Sequence, residues 1–340
     1  MKKVSIKDVA LKAGVSIASV SYVLNNKIDS RIGKDTIEKV RNAAEELNYR
    51  PNNVAKSLKT SRTYIIGLIV ADIANPYFSQ IARIIENEAN KKGYTLIIGS
   101  SDENKEKFES LINMFCDRQA DGLIIAPVEN TEASLQKLQK QNMPFVFIDR
   151  YLPEVLADSV QINNYDISYS VTEHLIAAGR KNIVLVAYDT KLHHLQQRAQ
   201  GFTDAVTKHN LQLCDHSVLN IDKDAIDEDI SKGFDYLFGG EITPDAIFFT
   251  SNKLAVSGLK KLMKLGVKIP ENVAVVAFDE TEAYELFSVP LSYVRQPLSG
   301  IGTTAMEILH EKIVDITLPV KNITLNAELH IGQSSEFEIY

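Results

Sequence analysis

The sequence predicts two kinds of fold in one chain: a small all-α head built on a helix-turn-helix, and a large α/β body made of two doubly wound parallel-sheet lobes. Three observations predict this. The first fifty residues hold two short helical patterns joined at a single glycine, with a capping residue at each start. From residue 63 onward, short apolar runs bounded by turn residues alternate with amphipathic helical stretches. Charge divides at the same place: residues 1–62 hold 13 Lys and Arg against 6 Asp and Glu, and the rest of the chain holds 24 against 38. A chain of 340 residues is too long for one compact core. The expected division is a helix-turn-helix head over 1–50, a linking segment over 51–62 and a body over 63–340. A basic segment on an acidic body points to a polyanionic partner at one end.

In the head, Ser5-Ile6-Lys7-Asp8 opens the first helix as a capping box, with Asp8 where Glu is usual. Ile6, Val9, Ala10 and Ala13 follow at helical spacing and give an inward stripe. Gly14 stops the helix in the left-handed conformation that a Cβ penalises. Ser16 caps the second helix. There Val20, Val23 and Leu24 fall on one side, and Ile17, Ala18, Ser21 and Tyr22 on the other. Ile37, Val40, Ala44 and Leu47 stripe a third helix, expected to run up to Pro51, because the residue before proline resists the helical region. A helix that only packs has no reason to turn Ile17 and Tyr22 outward in a basic segment. That face is expected to enter the major groove of DNA.

In the body, "YIIGLIVADI", "YTLIIGSS", "DGLIIAPV", "PFVFIDR", "NIVLVAYD", "DAIFFTSN" and "VAVVAFDE" read as strands buried on both faces, the mark of a parallel sheet. Helices are expected between them over 77–92, 103–118, 131–141, 166–178, 195–209 and 254–265. The alternation gives a doubly wound α/β architecture. No run approaches the ~20 apolar residues of a membrane-spanning helix. "MKKVSIKDVALKAG" lacks the apolar core of a signal peptide. Cys116 and Cys214 make no disulfide framework, which fits a reducing, cytoplasmic setting.

Enzyme signatures are missing. "GLIVADIANPYF" after the first strand has no G-x-G-x-x-G, and no phosphate loop or G-x-S-x-G elbow occurs. His193-His194 is poor chelate geometry and reads as a surface pair. No catalytic residue, metal site or cofactor is expected. Ligands of doubly wound sheets bind beyond the carboxyl ends of the strands. That criterion selects Asn75, Tyr77 and Phe78 in "IANPYF", Asp149 and Arg150 in "FIDR", and Arg198 in "QQRAQGF". It also selects Asn252 in "TSNK", Asp279 in "AFDE" and Gln296 in "VRQP". The chemistry suits a polyol: Asp accepts from neighbouring hydroxyls, Arg and Asn donate, and an aromatic ring packs on the apolar face.

"VSIKDVALKAGVSIASVSYVLNN" followed by "TIEKVRNAAEELNYRPNNVAKSLKT" resembles the DNA-binding head of the lactose-repressor (LacI/GalR) family of bacterial transcription regulators. The resemblance implies base contacts from the first, second and sixth residues of the recognition helix, here Ile17, Ala18 and Tyr22. Tyr22 departs from the Arg common at its position, which implies an altered operator preference. Ser5, Ser21, Asn25 and Arg31 complete the DNA-facing set in the head. "RPNNVAKSLKTSRT" resembles the family's hinge helix. Leu58 stands where a wedge unstacks a base step. Asn53, Ala55, Lys56 and Lys59 line the same contact, with Lys56, Lys59 and Arg62 on phosphates.

The body resembles a periplasmic sugar-binding protein, which implies three crossings between lobes, placed near 160, 291 and 321. One lobe is then about 63–160 plus 292–320, and the other about 161–291 plus 321–340. The strand-end residues stand in the order of the family's sugar site. Two departures are Lys253, in place of an acid, and Tyr188, in place of a Gly; Lys253 could add a cation for an acidic or phosphorylated sugar. The implied function is a homodimeric repressor of a carbohydrate-utilisation operon. Its partners are double-stranded operator DNA and a small sugar or sugar-phosphate effector, with no membrane partner. Alternatives are a regulator with a purine-like corepressor, or a sugar-binding transport protein.

Overall fold

The computed structural model describes residues 4–24, 32–49, 62–211, 217–240 and 243–336. The chain forms two compact units, Met1–Thr63 and Tyr64–Tyr340. In the first, α1 (Ile6–Ala13), α2 (Ile17–Leu24) and α3 (Lys34–Glu46) enclose a small core of Val9, Ala10, Val20, Val23, Val40, Ala43 and Ala44. The expected caps form. The Asp8 carboxylate accepts from the Ser5 N–H and hydroxyl at 2.8 and 2.7 Å. Gly14 lies at φ 66° and ψ 33°, and the Ser16 hydroxyl accepts the Ser19 N–H at 3.1 Å. α3 ends at Glu46, short of Pro51. Asn48 takes a φ of 47°, and the Tyr49 N–H returns to the Ala44 carbonyl at 2.8 Å. Asn is among the few residues that tolerate this left-handed turn, so it closes the helix before proline can.

The second unit holds two six-stranded sheets. The strands are β1 (Ile65–Val70), β2 (Thr95–Ser100), β3 (Gly122–Ile125), β4 (Phe145–Ile148), β5 (Asp158–Ile162), β6 (Ile183–Tyr188), β7 (Val218–Ile221), β8 (Ala246–Phe249), β9 (Ala274–Phe278), β10 (Ser292–Arg295), β11 (Asn322–Leu325) and β12 (Glu328–His330). The first sheet has the order β11-β5-β4-β3-β1-β2 and the second β12-β10-β9-β8-β6-β7. All pairs are parallel except β10 with β12. The helices are α4 (Pro76–Lys91), α5 (Lys105–Asp117), α6 (Glu132–Lys140), α7 (Asn164–Ala177), α8 (His193–Lys208), α9 (Ile226–Gly239), α10 (Asn252–Lys264) and α11 (Leu298–Val314). Every strand and helix expected from the body's sequence is present, with ends displaced by at most three residues.

Strand membership puts the first passage between sheets after Ile162, near the expected 160, and the other two after Arg295 and Leu325, beyond the expected 291 and 321. β10 therefore belongs to the second sheet and β11 to the first. The difference follows from register: β10 pairs with β9 from Ser292 to Val294, and β11 pairs with β5 from Asn322 to Leu325.

Alternation along the strands divides the body core. Ile66, Leu68 and Val70 face α4 and α11, with Ile81, Ile85, Ile301 and Met306. On the opposite face of that sheet, Ile69 meets Phe108 and Phe115 of α5. The second sheet repeats this with Leu185 and Phe202 on one side, and Val184, Phe234 and Leu259 on the other. Among the described residues, no helix is long and apolar enough to cross a membrane.

Candidate functional site

Two surfaces carry the sequence-selected residues. In the head, the first turn of α2 and its next turn leave Ile17 and Tyr22 at 45% and 51% exposure, with Ala18 exposed beside them. Val20 and Val23 on the opposite side are buried. The outward apolar face is real, and it carries no charge. Ser5 is exposed next to the α1 cap, and Ser21 is half-buried. Asn25, Arg31, Asn53, Ala55, Lys56, Leu58 and Lys59 lie outside the described residues, as does the segment expected to be a hinge helix.

In the body, the carboxyl ends of both sheets face a cavity of about 600 Å³. Asn75, Tyr77, Phe78, Asp149, Arg150, Arg198, Asp279 and Gln296 all line it. Asp149, Arg150, Asp279 and Gln296 stand just after strands, and the others reach in from α4 and its cap and from α8. Asp149 follows β4 and Asp279 follows β9, at φ 66° and 67°. These equivalent positions in the two sheets turn each carboxylate back toward the cavity instead of onward into a helix.

The guanidinium groups are anchored before any ligand is considered. Arg198 is buried, with Nε donating to the Asn164 amide oxygen at 2.8 Å and Nη1 to the Thr250 carbonyl at 2.7 Å. Its guanidinium carbon lies 3.5 Å from the centroid of the Phe278 ring. Burial lowers the Arg198 pKa, and Asp279 and Asp149 oppose that. Arg150 donates through Nη1 to both Glu103 oxygens at 3.0 Å and through Nε to Asp149 at 3.2 Å. Burial works against its charge, but Glu103 and Asp149 raise its pKa above the ordinary value. Asp279 accepts from Gln296 Nε2 at 2.6 Å. Burial raises its pKa, while Arg198 and Gln296 pull the other way. Tyr77 is held well above the usual tyrosine range by burial, then by Asp149 and Asp279.

Asn252 does not line the cavity. Its Nδ2 donates to Asn75 Oδ1 across the two lobes at 2.8 Å, so its amide serves the neighbouring loop. Lys253 pairs with Asp72, which neutralises the cation expected to read an acidic sugar. His194 is buried and lines the cavity, in contrast to the surface position expected of it. Only His193 is half-exposed, its ring 5.2 Å from that of Tyr151. Sequence reasoning also passed over Asp72, Glu103, Glu129 and Thr190, which line the cavity after β1, β2, β3 and β6. The strand-end criterion, applied to every strand, would have selected them.

Both units match known proteins. Residues 63–333 match the family model described as periplasmic binding proteins and sugar binding domain of LacI family, and residues 5–52 match bacterial regulatory proteins, lacI family. The HTH-type transcriptional repressor PurR of Vibrio vulnificus (strain CMCP6) is 33% identical over 323 residues, covering 92% of each chain. The crystal structure of the lac repressor dimer bound to operator and the anti-inducer ONPF has a TM-score of 0.84 at 24% identity, over 98% of this chain and 99% of that one. The transcriptional regulator CelR–cellobiose complex has a TM-score of 0.72 at 24% identity, over 98% and 100%. At that identity the two structures speak to the fold.

Proposed function

We propose, for a chain that belongs to the lacI family of bacterial DNA-binding transcription regulators, that it is a homodimeric repressor whose body binds a small neutral sugar. The observation that carries this reading is the internal charge balance of the cavity. Arg150 and Arg198 are each tied to carboxylates, carbonyls or amides of the chain itself, and each lies by an aromatic ring. Among the described residues, nine Asp and Glu line the cavity against five Lys and Arg. An anionic ligand would have to displace existing pairs in an environment of net negative charge. A polyol adds donors and acceptors without adding charge, and buried polar groups reject ligands lacking the matching hydroxyls. This argues for a sugar over a sugar phosphate.

The relatives named PurR support a second reading, a purine-like corepressor. A thermal-shift screen with neutral mono- and disaccharides, sugar phosphates and purine bases separates the readings, since a ligand of the folded state raises its apparent stability. A neutral sugar should raise the melting temperature, and Arg198→Ala should abolish that shift while leaving operator binding intact. A shift from a purine base or only from a sugar phosphate overturns the sugar reading.

In the head, Ile17 and Ala18 would meet thymine methyl groups, and the Tyr22 hydroxyl would add a hydrogen bond. Ser5, Ser21, Asn25, Arg31 and the segment holding Asn53, Ala55, Lys56, Leu58 and Lys59 supply the remaining contacts to DNA in this reading. Two heads of a dimer would read two half-sites of a near-palindrome. The sugar would act by shifting lobe against lobe, a coupling that is reciprocal with operator affinity. Deletion of 1–62 should remove retention of promoter DNA in a gel shift, and affinity for the full chain should fall steeply with salt.

A further inference from the structure

Two sets of contacts bridge the lobes along the rim of the cavity, from neighbouring strand ends in each sheet, and the chain supplies both ends of each. At one rim the loop after β1 meets the first turn of α10, which follows β8. The Lys253 ammonium pairs with the Asp72 carboxylate, and Asn252 Nδ2 donates to Asn75 Oδ1 at 2.8 Å. At the other rim the loop after β3 meets the loop after β6. The Glu129 carboxylate accepts from the Thr190 hydroxyl and from the Lys191 N–H, the latter at 2.7 Å. The two sheets share one strand order, so β1 corresponds to β6 and β3 to β8. The rims are therefore one contact used twice: the segment after one lobe's first strand meets the segment after the other lobe's third.

We propose that these contacts form a paired clasp that biases the lobes toward closure through the chain's own side chains, whatever occupies the cavity. The lobes are joined by the passages after β5, β10 and β11, on the far side of the sheets from β1, β3, β6 and β8, so opening about that hinge breaks both sets of contacts. The rims are thereby coupled, and the closing equilibrium is preset before a ligand adds its own preference. The Lys253–Asp72 rim is partly exposed, with side chains at 45% and 20%, so salt should loosen it. The regulatory consequence rests on the cavity being the effector site; the clasp itself does not.

The test is hydrogen–deuterium exchange on the full chain without added ligand, read at the set of contacts that each substitution leaves intact. Glu129→Ala should speed exchange in 72–78, and Asp72→Asn should speed it in 189–195. The expected change is about two- to fivefold, the range a partly exposed polar pair supplies. The double exchange Asp72→Lys with Lys253→Asp should return 189–195 to the wild-type rate. Raised sodium chloride should speed both rims in the wild type, and have little further effect on 189–195 in Asp72→Asn. Faster exchange confined to the substituted rim would overturn the clasp, as would a charge-swapped protein that exchanges as fast as Asp72→Asn. Failure of the sugar reading shows in the thermal-shift screen and leaves these exchange rates unchanged.

Discussion

Burial, then the charges of Arg150, Arg198 and His193, hold the His194 pKa well below the ordinary value of 6.5. The folded chain therefore declines a proton that the unfolded chain accepts below pH 6.5. Its stabilising effect is complete above that pH and is lost as pH falls beneath it, by up to about 1.4 kcal/mol per pH unit. Asp279 acts in the opposite sense, since burial raises its pKa and acid then favours the folded state. The difference between wild type and His194→Gln isolates the histidine. Urea melts between pH 7.5 and 5.5 should show a weaker pH dependence in the variant. In the head, Tyr22→Arg should change which half-site is preferred more than the strength of general DNA binding. A competition selection of operator variants against both proteins checks this, and an unchanged preferred half-site counts against the role of Tyr22.

Eight of the nine cavity residues chosen from sequence line the cavity: Asp149, Arg150, Asp279 and Gln296 just after strands, Asn75, Tyr77 and Phe78 at the start of α4, and Arg198 in the second turn of α8. Asn252 and Lys253 follow β8 but turn their side chains across the cleft. Sequence reports their position after the strand, while their partners, Asn75 and Asp72, lie some 180 residues away in the chain. His194 was misplaced for a related reason. Two adjacent histidines at a helix start look alike in sequence, but α8 turns one inward and leaves the other half-exposed.

At the scale of elements, the strands with long apolar runs were legible, the edge strand β2 among them, and the short or mixed ones, β5, β7, β10, β11 and β12, were not. β1, β3, β4, β6, β8 and β9 are buried almost throughout and read as apolar runs, whereas "VLNI" of β7 and "NITL" of β11 mix polar residues because one side is open. α11 escaped notice because two glycines interrupt "LSGIGTTAMEILHEKIV". At Gly302 the helix needs the gap, since a Cβ there would come within 2.7 Å of Ile84. The tightest helix contact is between α7 and α8. A Cβ at Gly201 would lie 2.4 Å from the Tyr165 carbonyl oxygen, a backbone atom that cannot move aside. Gly201→Ala should force the helices apart at a cost of about 1–3 kcal/mol, measured as a lower urea midpoint. Gly239→Ala, on the last residue of α9 with nothing near its Cβ, should be neutral or slightly stabilising, since Ala favours helix over Gly.

For the whole molecule, the separate cores of the two compact units predict that the body stands alone. A fragment of 64–340 should keep the main melting temperature of the full chain to within about 2 °C, because a change of 1 kcal/mol shifts a large domain by only about that much. A larger drop in calorimetry would show that the head contributes to the body's stability. The charge division at residue 62 was legible by counting. The lobes were legible as two, but two of their seams were displaced because the strands that mark them, β10 ("SYVR") and β11 ("NITL"), are short and partly polar.

The interleaving of the lobes has a consequence for how the protein is made. The first sheet gains its edge strand β11 only at Asn322–Leu325, and α11, which covers Ile81 and Ile85, only at Leu298–Val314. A nascent chain synthesised through β9 has begun both lobes and finished neither. Its earliest lobe carries a bare apolar face until α11 is made, and residues 298–330 complete both lobes. Ribosome stalling or truncation late in the gene should therefore yield an aggregating chain rather than a soluble single lobe.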